Sequence, residues 1–583
     1  MKVEMDLLPS QKEIKSLYLE IPLIEKLTPL FHVCTTSLRV NPAGYLPKGD
    51  GVIWTSSQFS DGNWYGNFKP YIWLGSEERG ICWFADNDKG WIIDWEKQPP
   101  CLILEREKGI LKLKVNLIQK PSKIEEIRHI VFGLMATPAK PMPMDWRKIL
   151  LNQYYPGYKT IVWMGSTYWG CGEIMKEVYP LNKDMSILTK MQEVRVAKGT
   201  DTKKFIQGWE RRNLSGELPK DMKDKKSIIN LAEISLNMAS KKSDYFSVYW
   251  EEFHSISQYH PETKIFKYEW GGGYEYTGIY NLAPSYIDFR CWFAAEFIRR
   301  GIGLYFDNAY PKRTYDMETS DAYFLPNGKI QPSANIWRHR EYLKRIWILH
   351  QQLSPEEGKP IMLVHMTNTH IIPYLDWNQG NIDLEWFYGS RPSQEKYSPD
   401  LLRTESIGRQ SGNIPFALAS ISGGTTKLTQ DELLKISKTK FGTMVVHEIK
   451  TPLETNIEKK LWEILFNFGY GENDCEVYNY WDENYPLSFS DDEVKSILLK
   501  RNEEMLLIMC TWNSQPVKVK VNINTKLLGL NPFLVEEVTD EGKTGETYVI
   551  ENNSFIIPLD GYDVKILKLK KKKFKHKKGR NNE

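Results

Sequence analysis

The chain has 583 residues, 26% charged and 41% hydrophobic, including 20 Trp and 31 Tyr, which is too long for one core and predicts two to four packed domains. Its net charge of +3 is unevenly spread. Residues 570–583 (KKKKFKHKKGRNNE) hold seven Lys and one Arg against one Glu, a charge of +7, which leaves the body near −4 and excludes a nucleic-acid-binding body.

Residues 1–145 read as an N-terminal β-sandwich. Aromatic or alternating runs at 71–74, 80–85, 90–95, 101–105 and 110–117 recur between Gly, Asp and Pro turns. Two facing sheets are the natural way to bury such strands. The Pro-rich segment ATPAKPMPMDW at 136–146 ends the pattern.

Over 146–488 short apolar runs alternate with helical patterns, as in βα units. Strands are predicted at 160–164, 244–250, 265–270, 303–307, 361–366, 381–387, 414–418 and 444–448, and helices at 285–300, 336–352, 430–440 and 457–468. The helix 285–300 (SYIDFRCWFAAEFIRR) follows Pro284, has Ser285 and Asp288 at capping-box spacing, and stops at Gly301. Eight such strands predict a central (β/α)8 TIM barrel. No glycine-rich phosphate loop follows an early strand, which argues against a doubly wound dinucleotide fold.

Over 489–569, seven short runs (494–499, 505–511, 517–523, 533–538, 547–551, 554–558 and 564–569) predict a C-terminal antiparallel β-sandwich. The stretch 570–583 reads as a basic disordered tail. The whole is thus expected to be a multidomain α/β plus all-β protein.

Seven Cys, at 34, 82, 101, 171, 291, 475 and 510, show no CxxC or paired Cys/His spacing, so neither a zinc site nor another cofactor is expected. Several sit in apolar runs and read as buried reduced thiols. No apolar stretch approaches 18 residues and the N-terminus lacks the apolar core of a signal peptide. The expectation is a cytoplasmic chain with no membrane span, or a secreted or periplasmic one if a leader has been removed. Oligomeric state is left open.

A barrel carries its chemistry at the C-terminal ends of its strands. In GIGLYFDNAYP an apolar strand closes on Asp307, with Gly303, Tyr305 and Asp307 on one face. In NIDLEWFYG, Asp383 and Glu385 share the face opposite Ile382, Leu384 and Trp386. Two carboxylates on one lumen face repel, which raises the pKa of one and suits a general acid. Glu385, nearer the strand end, is assigned that role, and Asp383 is assigned to substrate binding; an ion pair with Arg403 or Arg409 is the structural alternative. Cleaving a glycosidic bond needs a proton donor and a negative group at the oxocarbenium-like centre, and Asp307 and Glu385 come from different strands and can flank a sugar.

Other strand-end groups expected to bind substrate are Trp163, Trp250, Glu269, Trp270, His365, Asn368, Trp386, Arg409 and His447. A metal site drawn from His365, His370, Asp383, Glu385 and His447 lacks the spacing of metal hydrolases, and no GxSxG elbow is present.

The segments GDGVIWTSS (49–57), YIWLGSEERGICWFADNDKGW (71–91), FGLMATPAKPMP (132–143), GIGLYFDNAYP, REYLKRIW (340–347), VHMTNTH and LLRTESIGRQSGNIPFAL (401–418) resemble a family of large bacterial glycoside-hydrolase-like proteins. The resemblance covers about residues 10–570. It implies a β-supersandwich, a glycosidase-type TIM barrel and a C-terminal β-sandwich. In layout it is similar to endo-α-N-acetylgalactosaminidase and α-galactosidase-like enzymes. There an Asp closing a middle barrel strand is the nucleophile and a carboxylate on a later strand the acid/base, which implies those roles for Asp307 and Glu385 and a retaining outcome. The expected function is a glycoside hydrolase acting on an oligosaccharide or polysaccharide of bacterial, plant or host origin. The alternatives are a non-catalytic carbohydrate-binding barrel and a metal-dependent barrel hydrolase or lyase.

Overall fold

A computed structural model describes residues 1–34, 41–59, 64–151, 153, 155–164, 228–236, 238–240, 268–270, 274–278, 282–299, 301–307, 309, 313–354, 361–366, 369–385, 391–421, 428–529 and 532–571. The chain divides into two compact units. One comprises Met1–Met144, Leu151–Leu384 and Asp400–Ala417; the other comprises Asp145–Leu150, Glu385–Pro399 and Leu418–Glu583.

The first unit begins with two antiparallel sheets. A four-stranded sheet runs in the order Leu17–Ile24, Ile110–Ile118, Leu102–Glu107, Gly51–Thr55. Its strands alternate: Leu111, Leu113 and Val115 point inward while Lys112 and Lys114 flank Glu107, Glu105 and Glu20 outside. Pro22 is tolerated because its strand is an edge. The facing six-stranded sheet runs in the order Lys2–Leu7, Arg128–Thr137, Gly80–Phe84, Tyr71–Gly75, Leu30–Cys34, Ala43–Tyr45. Every residue of its strands Tyr71–Gly75 and Leu30–Cys34 is buried, so it is covered on both faces. From it one core continues through Ala232, Ile234, Tyr286, Phe306 and Tyr342.

The strand predicted at 90–95 does not form. Gly90 adopts φ +85, and a Cβ there would lie 2.3 Å from the His129 carbonyl oxygen, so the chain turns. Only Ile92 bridges, to Ile118.

Six parallel strands follow, each hydrogen-bonded to the next in chain order: β1 (Lys159–Met164), β2 (Ile228–Ser235), β3 (Gly303–Asp307), β4 (Met362–His365), β5 (Gly380–Asp383) and β6 (Ile414–Ala417). Sequential parallel pairing with helices between strands is the TIM-barrel pattern. Helices α1 (Pro284–Ile298) and α2 (Ile336–Leu353) pack outside, with Phe306 of β3 against Tyr342 of α2 at 6.1 Å between ring centroids.

Two readings in this region are corrected. Helix α1 has no capping box: Ala283 is its N-cap and no side chain caps it, Pro284 at the first position supplying the preset φ, while Asp288 pairs with Arg345 of α2 at 2.6 Å. Residues 268–270, predicted to end a barrel strand, are instead antiparallel: Tyr268–Trp270 pairs with Tyr274–Gly278. Glu269 and Trp270 therefore do not end a parallel barrel strand. The barrel strand before β3 is instead Ile228–Ser235, which was not predicted, and the run 244–250 lies outside the described residues.

In the second unit, residues 444–448, predicted as a strand, are the end of a helix and the turn after it. Helix α3 (Gln430–Val445) starts at a capping box between Thr429 and Glu432 and its apolar spacing continues through Phe441, Met444 and Val445. Helix α4 (Asn456–Phe468) has a second box, Thr455 with Glu458, and stops at Gly469, φ +114. The seven C-terminal strands all form. Leu487–Phe489, Val517–Ile523 and Ser554–Leu559 make one sheet, and the other five join Cys475–Asn479 in the second. They enclose a core that includes Leu498, Leu507, Met509, Val521, Ile557 and Leu567. The architecture is that of a TIM barrel and β-sandwiches in one multidomain chain.

Candidate active site

The register of the parallel strands fixes which side chains share the barrel lumen. Gly303 of β3 pairs with Leu231 of β2, and a Cβ on Gly303 would lie 2.5 Å from Leu231 Cδ2, so the two share a face. Two residues on, Tyr305 pairs with Glu233 of β2 and with Leu363 of β4. Gly380 of β5 approaches Leu363 Cδ2 and Phe416 Cε2 in the same way. Leu231, Leu363 and Phe416 are fully buried, and such packing makes the lumen a filled core rather than a pore.

Asp307 stands above this floor as the last residue of β3, its side chain 23% exposed. The Asp307 Oδ1 atom is 2.9 Å from Nδ1 of His365, the last residue of β4, whose ring stacks on Tyr305 at 6.2 Å between centroids. The backbone here is locked: Leu236 N–H donates to the Asp307 carbonyl (3.0 Å), and Ala309 N–H donates to the His365 carbonyl (2.9 Å). Tyr374 hydroxyl then donates to the Ala309 carbonyl at 2.9 Å. A carboxylate held by an imidazole on two rigid strands is oriented before any ligand arrives.

Asp383 ends β5 but faces the other way. It is fully buried and accepts a hydrogen bond from Ser406 Oγ at 2.7 Å. Ser406 belongs to the buried turn Leu402–Ser406, whose Glu405 meets His32 of the N-terminal sheet at 3.0 Å. Burial pushes His32 down to about 3, partly offset by Asp383, so its imidazole is neutral at pH 7 and the contact is a hydrogen bond. Arg403, one of the two arginines of the ion-pair alternative, binds Glu77 with two nitrogens, Nη2 at 3.1 Å from Oε2. Asn381, on the same face of β5 as Asp383, bonds Asn413 (2.8 Å) and lies 3.3 Å from Nε2 of His370. The two carboxylates predicted to share a lumen face therefore do not: Leu384 takes φ +54, the extended alternation stops there, and the exposed Glu385 follows beyond the strand, in the second unit.

Arg409 is half-buried in a turn and its carbonyl accepts from Gly412 N–H at 3.1 Å. His447 is buried in the second unit, 2.8 Å from the Thr443 carbonyl, 2.9 Å from Tyr480 hydroxyl, and stacked on Trp481. Trp163 pairs in register with Leu231. Trp250, Asn368 and Trp386 lie outside the described residues. Sequence reasoning missed Glu233, buried on the lumen face of β2; the alternation of IINLAEIS was its signal.

Residues 457–541 match the family model "Glycoside hydrolase 123, C-terminal domain". No curated protein sequence matches the chain. Among solved structures the chain is distantly similar to several glycoside hydrolase folds. A GH36 alpha-galactosidase of Geobacillus stearothermophilus shares 10% identity over 94% of this chain and 76% of that one, TM-score 0.45. A GH31 sulfoquinovosidase of E. rectale shares 10% over 96% and 83%, TM-score 0.40. A maltogenic alpha-amylase of Thermotoga neapolitana shares 11% over 59% and 78%, TM-score 0.35.

Proposed function

We propose that the chain is a glycoside hydrolase of oligosaccharides or polysaccharides in which Asp307 supplies the negative group facing the oxocarbenium-like centre. The observation that carries this reading is the Asp307–His365 pair at the C-terminal ends of adjacent barrel strands, part-exposed above a packed lumen. A fixed carboxylate there stabilises developing positive charge without reorganising. The match of 457–541 to a glycoside hydrolase C-terminal domain supports the class. Glu385, exposed beyond β5, is the proposed proton donor, and a retaining outcome is proposed with it.

A panel of 4-nitrophenyl α- and β-glycosides incubated with the full chain tests this reading, with the anomer of the first-formed sugar read by proton NMR. Hydrolysis with retention is expected on at least one of them. In Glu385→Gln, azide should restore turnover as a glycosyl azide. Sugar binding without release of nitrophenol over days would instead favour a non-catalytic carbohydrate-binding barrel.

A further inference from the structure

We propose that the second unit carries a binding cleft for an uncharged oligosaccharide chain, set between the C-terminal end of α4 and the outer face of the strand Val564–Lys571. The inference rests on the glycosidase reading only in taking the ligand to be a sugar rather than another uncharged, hydroxyl-rich molecule. Strand alternation builds the cleft. Leu567 and Leu569 point into the sandwich core, so Lys568 and Lys570 point to the opposite face, where they stand in register beside Glu536 and Leu534 of Pro532–Val538. Helix α3 covers the other end of this face: a Cβ on Gly442 would lie 2.4 Å from Val564 Cγ2. Helix α4 stops at Gly469, where a Cβ would lie 2.7 Å from Arg501 Nη1, and the Phe468 carbonyl accepts from that nitrogen at 3.2 Å. The space left has a volume of about 1390 Å³, above the ~300–1,000 Å³ of an ordinary small-molecule site, which suits an extended chain.

The lining fixes the chemistry of the ligand. Ile464 and Phe468, one turn apart on α4, and Leu534 and Val538 on the sheet supply apolar surface. The charges cancel. Arg501 pairs with Asp474 at 2.9 Å, Lys571 with Glu503 at 2.7 Å, and Lys570 with Glu536. Lys568 and Glu504 are left, one of each sign and neither in an ion pair among the described residues. Glu504 stands opposite Lys570 on the neighbouring strand, one diagonal step from Lys568. With no excess of either sign, the cleft selects neither a polyanion nor a polycation. An ammonium donor and a carboxylate acceptor side by side match hydroxyls, which both donate and accept. A pyranose chain offers those hydroxyls together with C–H ring faces for the apolar surface.

Affinity electrophoresis of the full chain through gels containing laminarin, mixed-linkage β-glucan, galactomannan or glycogen tests the cleft, with polygalacturonate and single-stranded DNA as charged comparators. At least one neutral polysaccharide should retard the chain. Lys568→Met, which removes the ammonium, and Glu504→Gln should each weaken that binding about tenfold. Glu504 is exposed, so Glu504→Gln reads the cleft if Lys568→Met does not fold. Lys518→Met makes the same charge change at an exposed position of the other sheet and should bind as wild type does. No retardation by any neutral polysaccharide, equal retardation of wild type and both cleft variants, or binding of the charged polymers alone would overturn the proposal. Lys568→Met should still hydrolyse a 4-nitrophenyl glycoside at the wild-type rate. Failure of the glycosidase reading would show differently, as polysaccharide binding intact with no glycoside hydrolysed by any form.

Discussion

Asp307 and Asp383 both close strands of one sheet, and their surroundings differ. Asp383 is sealed against Ser406 on the outer face of the barrel wall, whereas Asp307 keeps solvent contact and an imidazole partner. Removing the Ser406 hydroxyl leaves a buried carboxylate short of a donor, so Ser406→Ala should cost about 1–3 kcal/mol in urea unfolding. Arg403→Met strands the buried Glu77 carboxylate and should cost more, about 3–5 kcal/mol by the same measurement. Asp307 was legible in the sequence because an apolar strand visibly stops on it. The faces of Asp383 and Glu385 were not, because period-2 alternation says nothing about which side of a sheet is the lumen, or about the left-handed Leu384 that ends the pattern.

At the scale of elements, most strands and helices read from local pattern form, but the capping-box spacing of Ser285 and Asp288 does not cap α1. Helix α4 carries its start and stop in Thr455, Glu458 and Gly469, and the seven C-terminal strands form between polar turns. Thr455→Ala removes the acceptor for the Glu458 N–H and should lower stability by about 1 kcal/mol, measured by thermal or urea unfolding. Residues 444–448 looked like a strand because a short apolar run fits both periods, and the helix already begun at Thr429 decides it. Gly303 has a role no pattern shows: an alanine Cβ there would sit 2.3 Å from the Ile361 carbonyl oxygen. Gly303→Ala should therefore push β3 away from β4, destabilise by about 1–3 kcal/mol, and weaken the Asp307–His365 contact, seen as a changed His365 NMR shift.

Within the first unit as a whole, the sandwich and the barrel interlock through Asp86. Its carboxylate accepts from Ile336 N–H at 2.5 Å and so caps α2, whose N-cap Asn335 makes no side-chain capping bond. Burial, then the nearby Asp321, push Asp86 up to about 7, against the backbone donors of α2 that favour its ionised form. Because the folded-state value lies above the unfolded one of 3.8, the native state holds this proton more tightly. The associated stability is present at acid pH and is lost as pH rises through about 7. Asp86→Asn should flatten the fall in stability between about pH 4 and about pH 7, compared with wild type by urea unfolding. The functional question at this scale is whether the chain breaks glycosidic bonds with the carboxylate of β3, and the rate of Asp307→Asn on the glycoside that wild type cleaves best answers it. A fall of about 1,000-fold or more in kcat/KM with an unchanged unfolding curve is expected. Wild-type turnover by folded Asp307→Asn would contradict the assignment.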